Sequence, residues 1–104
     1  MSVVHVVAVI SAKPGKRSEV LKAFHANRPN VLAEDGCIEY SPTIDALEGG
    51  SMQKEIGPDS FVVIEKWESL GHLKAHAAAA HMKEYASKVK DLLVDRAIHV
   101  LAPI

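Results

Sequence analysis

Four stretches of the chain are dense in apolar and β-branched residues, a composition that predicts β-strands. The first of them is apolar on both alternating faces, so both of its sides should be covered. In the second, one face is expected to carry Ile38, Tyr40 and Ile44. The four predicted strands cover residues 3–12, 37–44, 61–67 and 96–102.

A pattern of helical spacing lies between the first two predicted strands, and its apolar stripe carries Val20, Phe24 and Val31. Pro29 disfavours helical geometry at the residue before it, so the last part of this helix should be weakened or kinked. Arg28 lies near the apolar stripe, where an unpaired charge is costly. It is expected to pair with Glu34, Asp35 or a ligand oxygen, or to extend to the surface.

The second helical stretch follows Ser69, a suitable N-cap, and its apolar positions change phase partway along. At about 100° per residue, the two apolar faces differ by more than a quarter turn, so one straight helix cannot bury both. The pattern therefore predicts a break near residues 78–81. The first face comprises Leu70, Leu73, Ala77, Ala80 and His81, and the second comprises Met82, Tyr85, Val89, Leu92 and Leu93.

The resulting order of elements is β-α-β-β-α-β. It indicates an α+β fold of the ferredoxin-like, split βαβ type, with helices on one face of an antiparallel sheet. Such a sheet leaves its other face bare, yet the strands carry apolar residues on both faces. A homodimer that packs sheet against sheet is therefore predicted.

Size, composition and charge narrow the class of protein. A chain of 104 residues is expected to form one domain, 24% of it charged and 48% hydrophobic, as in globular proteins. The longest apolar run, residues 6–10, is too short to cross a membrane, and no basic leader is visible, so a cytoplasmic location is expected. A net charge of -1 without a basic stripe argues against a nucleic-acid partner. A single cysteine, Cys37, cannot form an intrachain disulfide.

Three histidines carry the candidate chemistry. His72 and His76 have the four-residue spacing of metal-binding pairs, but a zinc site needs a third ligand, and no metal is predicted. His76 and His81 fall on or beside the apolar face and suit a base in a pocket, whereas His72 falls on the solvated flank. Only a bent helix brings His76 and His81 together. Considered alone, the residues leave structural and catalytic roles open.

Four consecutive alanines separate His76 from His81. Alanine is the best helix former, which accounts for the run without any function. Small side chains also leave a void between helix and sheet, and with Trp67, Tyr40 and Phe24 nearby such a void suits a flat aromatic ligand. Residues 45–60 contain three glycines and form a long loop, which is expected to be mobile or functional.

Two motifs carry a family resemblance. The first comprises Gly36, Cys37, Ile38 and Tyr40, and the second comprises Glu65, Trp67, Leu73, Ala75, His76 and His81. Together they resemble the antibiotic biosynthesis monooxygenase family, in particular its quinol monooxygenase-like members, over essentially the whole chain. The loop at 45–60 looks like an insertion, with the roles of a lid or a dimer contact open. The haem-degrading branch uses an asparagine on the first strand, and residues 3–12 contain none.

The resemblance implies one such domain over residues 1–104, assembled as a dimeric α+β barrel. It also implies an oxidoreductase, a monooxygenase that oxidises a small quinol or polyphenol with dioxygen and without metal or flavin. Such chemistry requires a desolvated pocket and a base that ionises the phenol. The implied catalytic residues are His76, as the base, and Trp67, as an aromatic wall. The implied or expected substrate contacts are Tyr40, His81, Phe24, Tyr85 and Arg28.

Two alternatives keep the same fold. In the first, the protein is an isomerase of a small lactone or sugar-like substrate, with His76 moving protons. In the second, it is a non-catalytic dimeric protein that binds an aromatic compound, as a stress protein would. Dioxygen uptake distinguishes the monooxygenase from both alternatives, and exchange of substrate protons with solvent distinguishes the two alternatives from each other.

Overall fold

A single antiparallel sheet with helices between its strands forms the computed structural model, which describes residues 2–104. The strands are β1 (Val4–Ala12), β2 (Cys37–Thr43), β3 (Ser60–Trp67) and β4 (Leu93–Leu101), in the spatial order β2-β3-β1-β4. The helices are α1 (Arg17–Leu32), α2 (Leu70–Ala78) and α3 (Ala80–Val89). This arrangement confirms the predicted ferredoxin-like α+β fold.

The core lies on the helix-covered face of the sheet. Every second residue of β1 from Val4 to Ala12 is buried there, and so are Phe61, Val63, Glu65 and Trp67 of β3. The strand register pairs Val6 with Glu65 and Ala8 with Val63 across the two central strands. Burying a side chain such as Phe61, which is 0% exposed, stabilises the fold by about 1.5–3 kcal/mol.

The opposite face of the two central strands carries half-exposed side chains. Val7 pairs with Ile64 and Val9 with Val62, so an apolar strip runs along this face. The sheet is therefore apolar on both faces, as the strand patterns predict, while the core of the described chain lies on one face only.

A break divides the second helical region as predicted. Ala79 has an extended conformation (φ -63°, ψ 141°) between the end of α2 and the start of α3. Ser69 caps α2, because its Oγ accepts a hydrogen bond from the backbone N–H of His72 at 3.2 Å. Across residues 2–104, no helix combines the length and the apolar character that crossing a membrane requires. The cytoplasmic location stays a prediction.

The boundaries of the last elements differ from prediction. Helix α3 ends at Val89, a 3-10 turn covers Lys90–Leu92, and β4 begins at Leu93 rather than at residue 96. Leu92 and Leu93 therefore lie outside the helix on which their spacing placed them. Leu93 pairs with Ala12 of β1, so pairing within the sheet overrides the helical spacing.

Two further local predictions concern the end of α1 and the start of β2. Pro29 lies inside α1, which continues to Leu32, and Val31 in its last turn is fully buried. The weakened or kinked end of this helix stays a prediction. In β2 a register shift between Cys37 and Glu39 leaves Ile38 49% exposed. Ile44 lies beyond the strand and is 52% exposed, so only Tyr40 of the predicted apolar face is buried.

The long loop after β2 is organised by Asp45. Its carboxylate accepts hydrogen bonds from the backbone N–H groups of Ile56 at 2.9 Å and Gly57 at 3.0 Å. These bonds hold the pKa of the Asp45 carboxyl below its ordinary value. Arg17 of α1 donates to the carbonyl oxygen of Gly57 at 3.4 Å, which ties the loop to the first helix. The roles of lid and dimer contact stay predictions.

Candidate active site

A cavity of about 760 Å³ lies between the sheet and the second helical region. This volume falls within the range of small-molecule sites. Its sheet side includes Val6, Ala8 and Val63, and its helix side includes Leu73, Ala77 and Ala86. A void is therefore present between helix and sheet, and Ala77 is the residue of the four-alanine run that lines it.

His76 is the imidazole of this cavity. Its side chain is 6% exposed, and its Nδ1 lies 2.7 Å from Oε2 of Glu34. Because a carboxylate only accepts hydrogen bonds, Nδ1 must carry the hydrogen of the neutral ring. The lone pair is then on Nε2, which has no hydrogen-bond partner among residues 2–104 and belongs to a residue that lines the cavity. This arrangement suits a base.

Glu34 also approaches the second histidine. It lies between α1 and β2, and its Oε2 is 3.4 Å from Nε2 of His81. The break at Ala79 thus brings His76 and His81 to one carboxylate. The contact with His81 is an ion-pair distance without hydrogen-bond geometry, and both ring nitrogens of His81 are buried without a hydrogen bond in the described chain. His81 does not line the main cavity.

Trp67 packs against the ring of His76. It is 0% exposed, and its ring centroid lies 4.6 Å from that of His76, with a 34° angle between the planes. Its Nε1 donates a hydrogen bond of 3.0 Å to Oε1 of Glu65. Trp67 does not itself line the cavity, so it acts as a wall for the His76 ring.

Three aromatic side chains line the cavity as a group. Phe24 stacks on Tyr40 with ring centroids 5.1 Å apart and planes 7° apart, and it meets Tyr85 edge-on at 6.1 Å. Burial raises the pKa of Tyr85 to about 12, and the charge of Arg96 acts in the other direction. Burial also raises the pKa of Tyr40. Both remain phenols at neutral pH and can donate hydrogen bonds to a ligand.

Arg28 has a different partner from those predicted. Its Nε donates a hydrogen bond of 2.6 Å to the backbone carbonyl oxygen of Tyr40, and no ion pair with Glu34 or Asp35 forms. The predicted acidic pairing is therefore wrong. Arg28 does not line the cavity, and its bond fixes α1 against the strand that carries Tyr40.

His72 contacts a different set of residues from His76. Its Nδ1 is 2.7 Å from Oγ of Ser69, and its Nε2 is 3.4 Å from the exposed Asp35. With a side chain 29% exposed it is half-buried rather than solvated, and it packs on Gly36, where a Cβ atom would lie 2.3 Å from the ring. Asp35, Glu68 and His72 place possible metal-binding atoms within 4.8 Å of one another, and this group does not include His76.

The structure adds two acidic residues to the site, Glu34 and Glu65. Strand alternation in β3 places Glu65 on the buried face of the sheet. A charged residue at a buried position is visible in the sequence and indicates a functional role. The sequence predicts a partner for Glu34 only in Arg28. Its contact with His76 spans 42 residues and depends on the packing of α2, so no local pattern indicates it.

Comparison with known proteins agrees with the residue motifs. A sequence model described as "Antibiotic biosynthesis monooxygenase" matches residues 3–88. The chain belongs to the antibiotic biosynthesis monooxygenase family. At the level of the family, the protein is a monooxygenase. It is 43% identical over 100 residues to a protein of Escherichia coli named "Probable quinol monooxygenase YgiN", covering 94% of this chain and 95% of that relative.

Solved structures of other proteins share the fold of this chain. Rv0793 from Mycobacterium tuberculosis is 29% identical with a TM-score of 0.79, and the match covers 99% of this chain and 96% of that one. A protein from Nitrosomonas europaea is 18% identical with a TM-score of 0.83, and the match covers 99% and 91% of the two chains. The second similarity shows the fold alone.

Proposed function

We propose that the protein oxidises a small quinol or polyphenol with dioxygen, with His76 as the base and without a metal or organic cofactor. The observation that carries this proposal is the 2.7 Å contact between His76 Nδ1 and Glu34, which leaves Nε2 as the basic nitrogen of a cavity-lining residue. The name of the Escherichia coli relative supports a quinol as the substrate class.

The first step is proton transfer from a substrate hydroxyl to His76 Nε2. The Glu34 carboxylate stabilises the imidazolium that forms, because the opposite charge lies at hydrogen-bond distance. The resulting phenolate is electron-rich and can transfer an electron to dioxygen within the cavity. Dioxygen then adds to the substrate.

Flat aromatic substrates fit the side chains that line the cavity. Phe24, Tyr40 and Tyr85 are the proposed substrate contacts, since all three line it. Trp67 holds the ring of His76. His81 and Arg28 act indirectly in this proposal, His81 through Glu34 and Arg28 through the backbone of Tyr40.

Dioxygen uptake by wild-type protein tests the function. Metal-stripped protein is expected to consume dioxygen with reduced naphthoquinols or anthrols faster than these compounds autoxidise in buffer, and a chelator should not change the rate. Uptake equal to autoxidation across the panel contradicts the proposal. In that case, exchange of substrate protons into deuterated water would favour the isomerase, and its absence would favour the binding protein.

The apolar strip on the uncovered face of the sheet supports a homodimer. The half-exposed pairs Val7 with Ile64 and Val9 with Val62 would become buried if two sheets packed through this face. Light scattering at micromolar concentration is expected to give twice the chain mass of 11.2 kDa. A mass equal to that of one chain contradicts the dimer.

A further inference from the structure

Glu65 is a buried acid with no role in the function proposed above. It is 6% exposed and lines the cavity together with His76. In the register of the sheet it lies between Val6 of β1 and Tyr40 of β2. One carboxyl oxygen, Oε1, accepts the Nε1–H of Trp67 at 3.0 Å, while Oε2 has no hydrogen-bond partner within residues 2–104.

The surroundings of Glu65 make its carboxyl harder to ionise than a carboxyl in water. Burial raises the pKa of the Glu65 carboxyl, and the nearby Glu34 carboxylate raises it further. The hydrogen bond from Trp67 and the charge of His76 act in the opposite direction, and the net shift is upward. Since Oε1 already accepts a hydrogen bond, the proton belongs on Oε2, the oxygen without a partner.

We propose that Glu65 is the proton donor of the oxygenation and delivers its proton from Oε2 to the outer oxygen of the substrate peroxide. This inference rests on the proposed function, in which His76 ionises the substrate. An acid and a base then line the same cavity, the base to accept the substrate proton and the acid to protonate the peroxide.

The proton transfers balance over one turnover. His76 takes the hydroxyl proton, an electron pair of the phenolate forms the bond between a ring carbon and the inner oxygen, and Glu65 protonates the outer oxygen. The O–O bond then breaks as the same ring carbon loses its hydrogen to the Glu65 carboxylate and becomes a carbonyl. The departing hydroxide takes the proton held by His76, so one quinol and one dioxygen give one oxygenated product and one water.

Without a proton donor, a second outcome competes with oxygenation. The bond between the ring carbon and the inner oxygen breaks instead, and the substrate leaves as the quinone while dioxygen leaves as hydrogen peroxide. The two protons of the hydrogen peroxide are the one held by His76 and the one from the second hydroxyl of the quinol, so one quinol and one dioxygen give one quinone and one hydrogen peroxide. The ratio of hydrogen peroxide formed to dioxygen consumed therefore reports on the donor.

Glu65→Gln tests the assignment, because glutamine keeps the shape and the acceptor oxygen for Trp67 but cannot transfer a proton. The rate at which oxygenated product forms is expected to fall roughly tenfold. This fall is smaller than that expected if the acid were removed altogether, because the amide still donates a hydrogen bond. The ratio of peroxide to dioxygen should rise. The matched control is Glu55→Gln, on the exposed part of the loop, and it should leave both values unchanged.

The outcomes separate this inference from the proposed function. If the wild type consumes no dioxygen, both are overturned. If the wild type is active and Glu65→Gln gives the same product rate and peroxide ratio, only the role of Glu65 is overturned. Should the variant not fold, the carbon-13 shift of the Glu65 carboxyl in the wild type with bound quinone decides. A neutral carboxyl at pH 7 supports the donor, and an ionised one overturns it.

Discussion

Replacing His76 with alanine is expected to lower kcat for quinol oxidation by about 10²- to 10⁴-fold, the usual contribution of a positioned base. The 2.7 Å contact with Glu34 fixes the tautomer of the His76 imidazole, so that Nε2 is its basic nitrogen. Phe24, Tyr40 and Tyr85 remain in the variant, so substrate binding should change less than turnover. Dioxygen uptake at saturating substrate, corrected for autoxidation, gives kcat directly.

The control for His76→Ala is His25→Ala, an exposed histidine on α1, which should retain wild-type turnover. Added imidazole should restore part of the lost rate in His76→Ala, because the truncation leaves space beside Trp67 for a small base. A folded His76→Ala variant that turns over as fast as the wild type contradicts the assignment of the base.

The overall topology follows from residue spacing alone, because the burial of one sheet face imposes period two and the packing of helices imposes period 3.6. The change of apolar phase predicted a break near residues 78–81, and the break is found at Ala79. This break has a consequence for the site, since it lets two histidines five positions apart approach Glu34. The local pattern could therefore predict that His76 and His81 converge, but not on which group.

Long-range contacts account for what spacing could not predict. Arg28 donates a hydrogen bond to a backbone carbonyl of β2. Because every residue has such an acceptor, the packing of α1 decides which carbonyl Arg28 reaches. The start of β4 at Leu93 depends on pairing with Ala12, far away in the sequence. Glu65 was more accessible to prediction, since strand alternation alone places a carboxyl on the buried face.

Glu34 is expected to be the second largest determinant of turnover. Glu34→Ala should lower kcat on the order of 10²-fold with little change in KM, because it removes the charge that stabilises the imidazolium of His76. The free energy of unfolding of the variant should also be about 1–3 kcal/mol lower than that of the wild type, because the Nδ1–H of the buried His76 ring loses its acceptor. Steady-state kinetics and urea unfolding measure the two effects separately.

Glu34→Gln distinguishes orientation from charge. The amide oxygen can still accept the Nδ1–H of His76, so nitrogen-15 shifts should show the wild-type tautomer, which Glu34→Ala should lose. Stability should then recover more than kcat, because glutamine supplies the acceptor without the negative charge. Asp35→Ala, at the neighbouring and 94% exposed position, is the control and should leave kcat and tautomer unchanged. Wild-type kcat and tautomer in Glu34→Ala would show that His76 acts without Glu34.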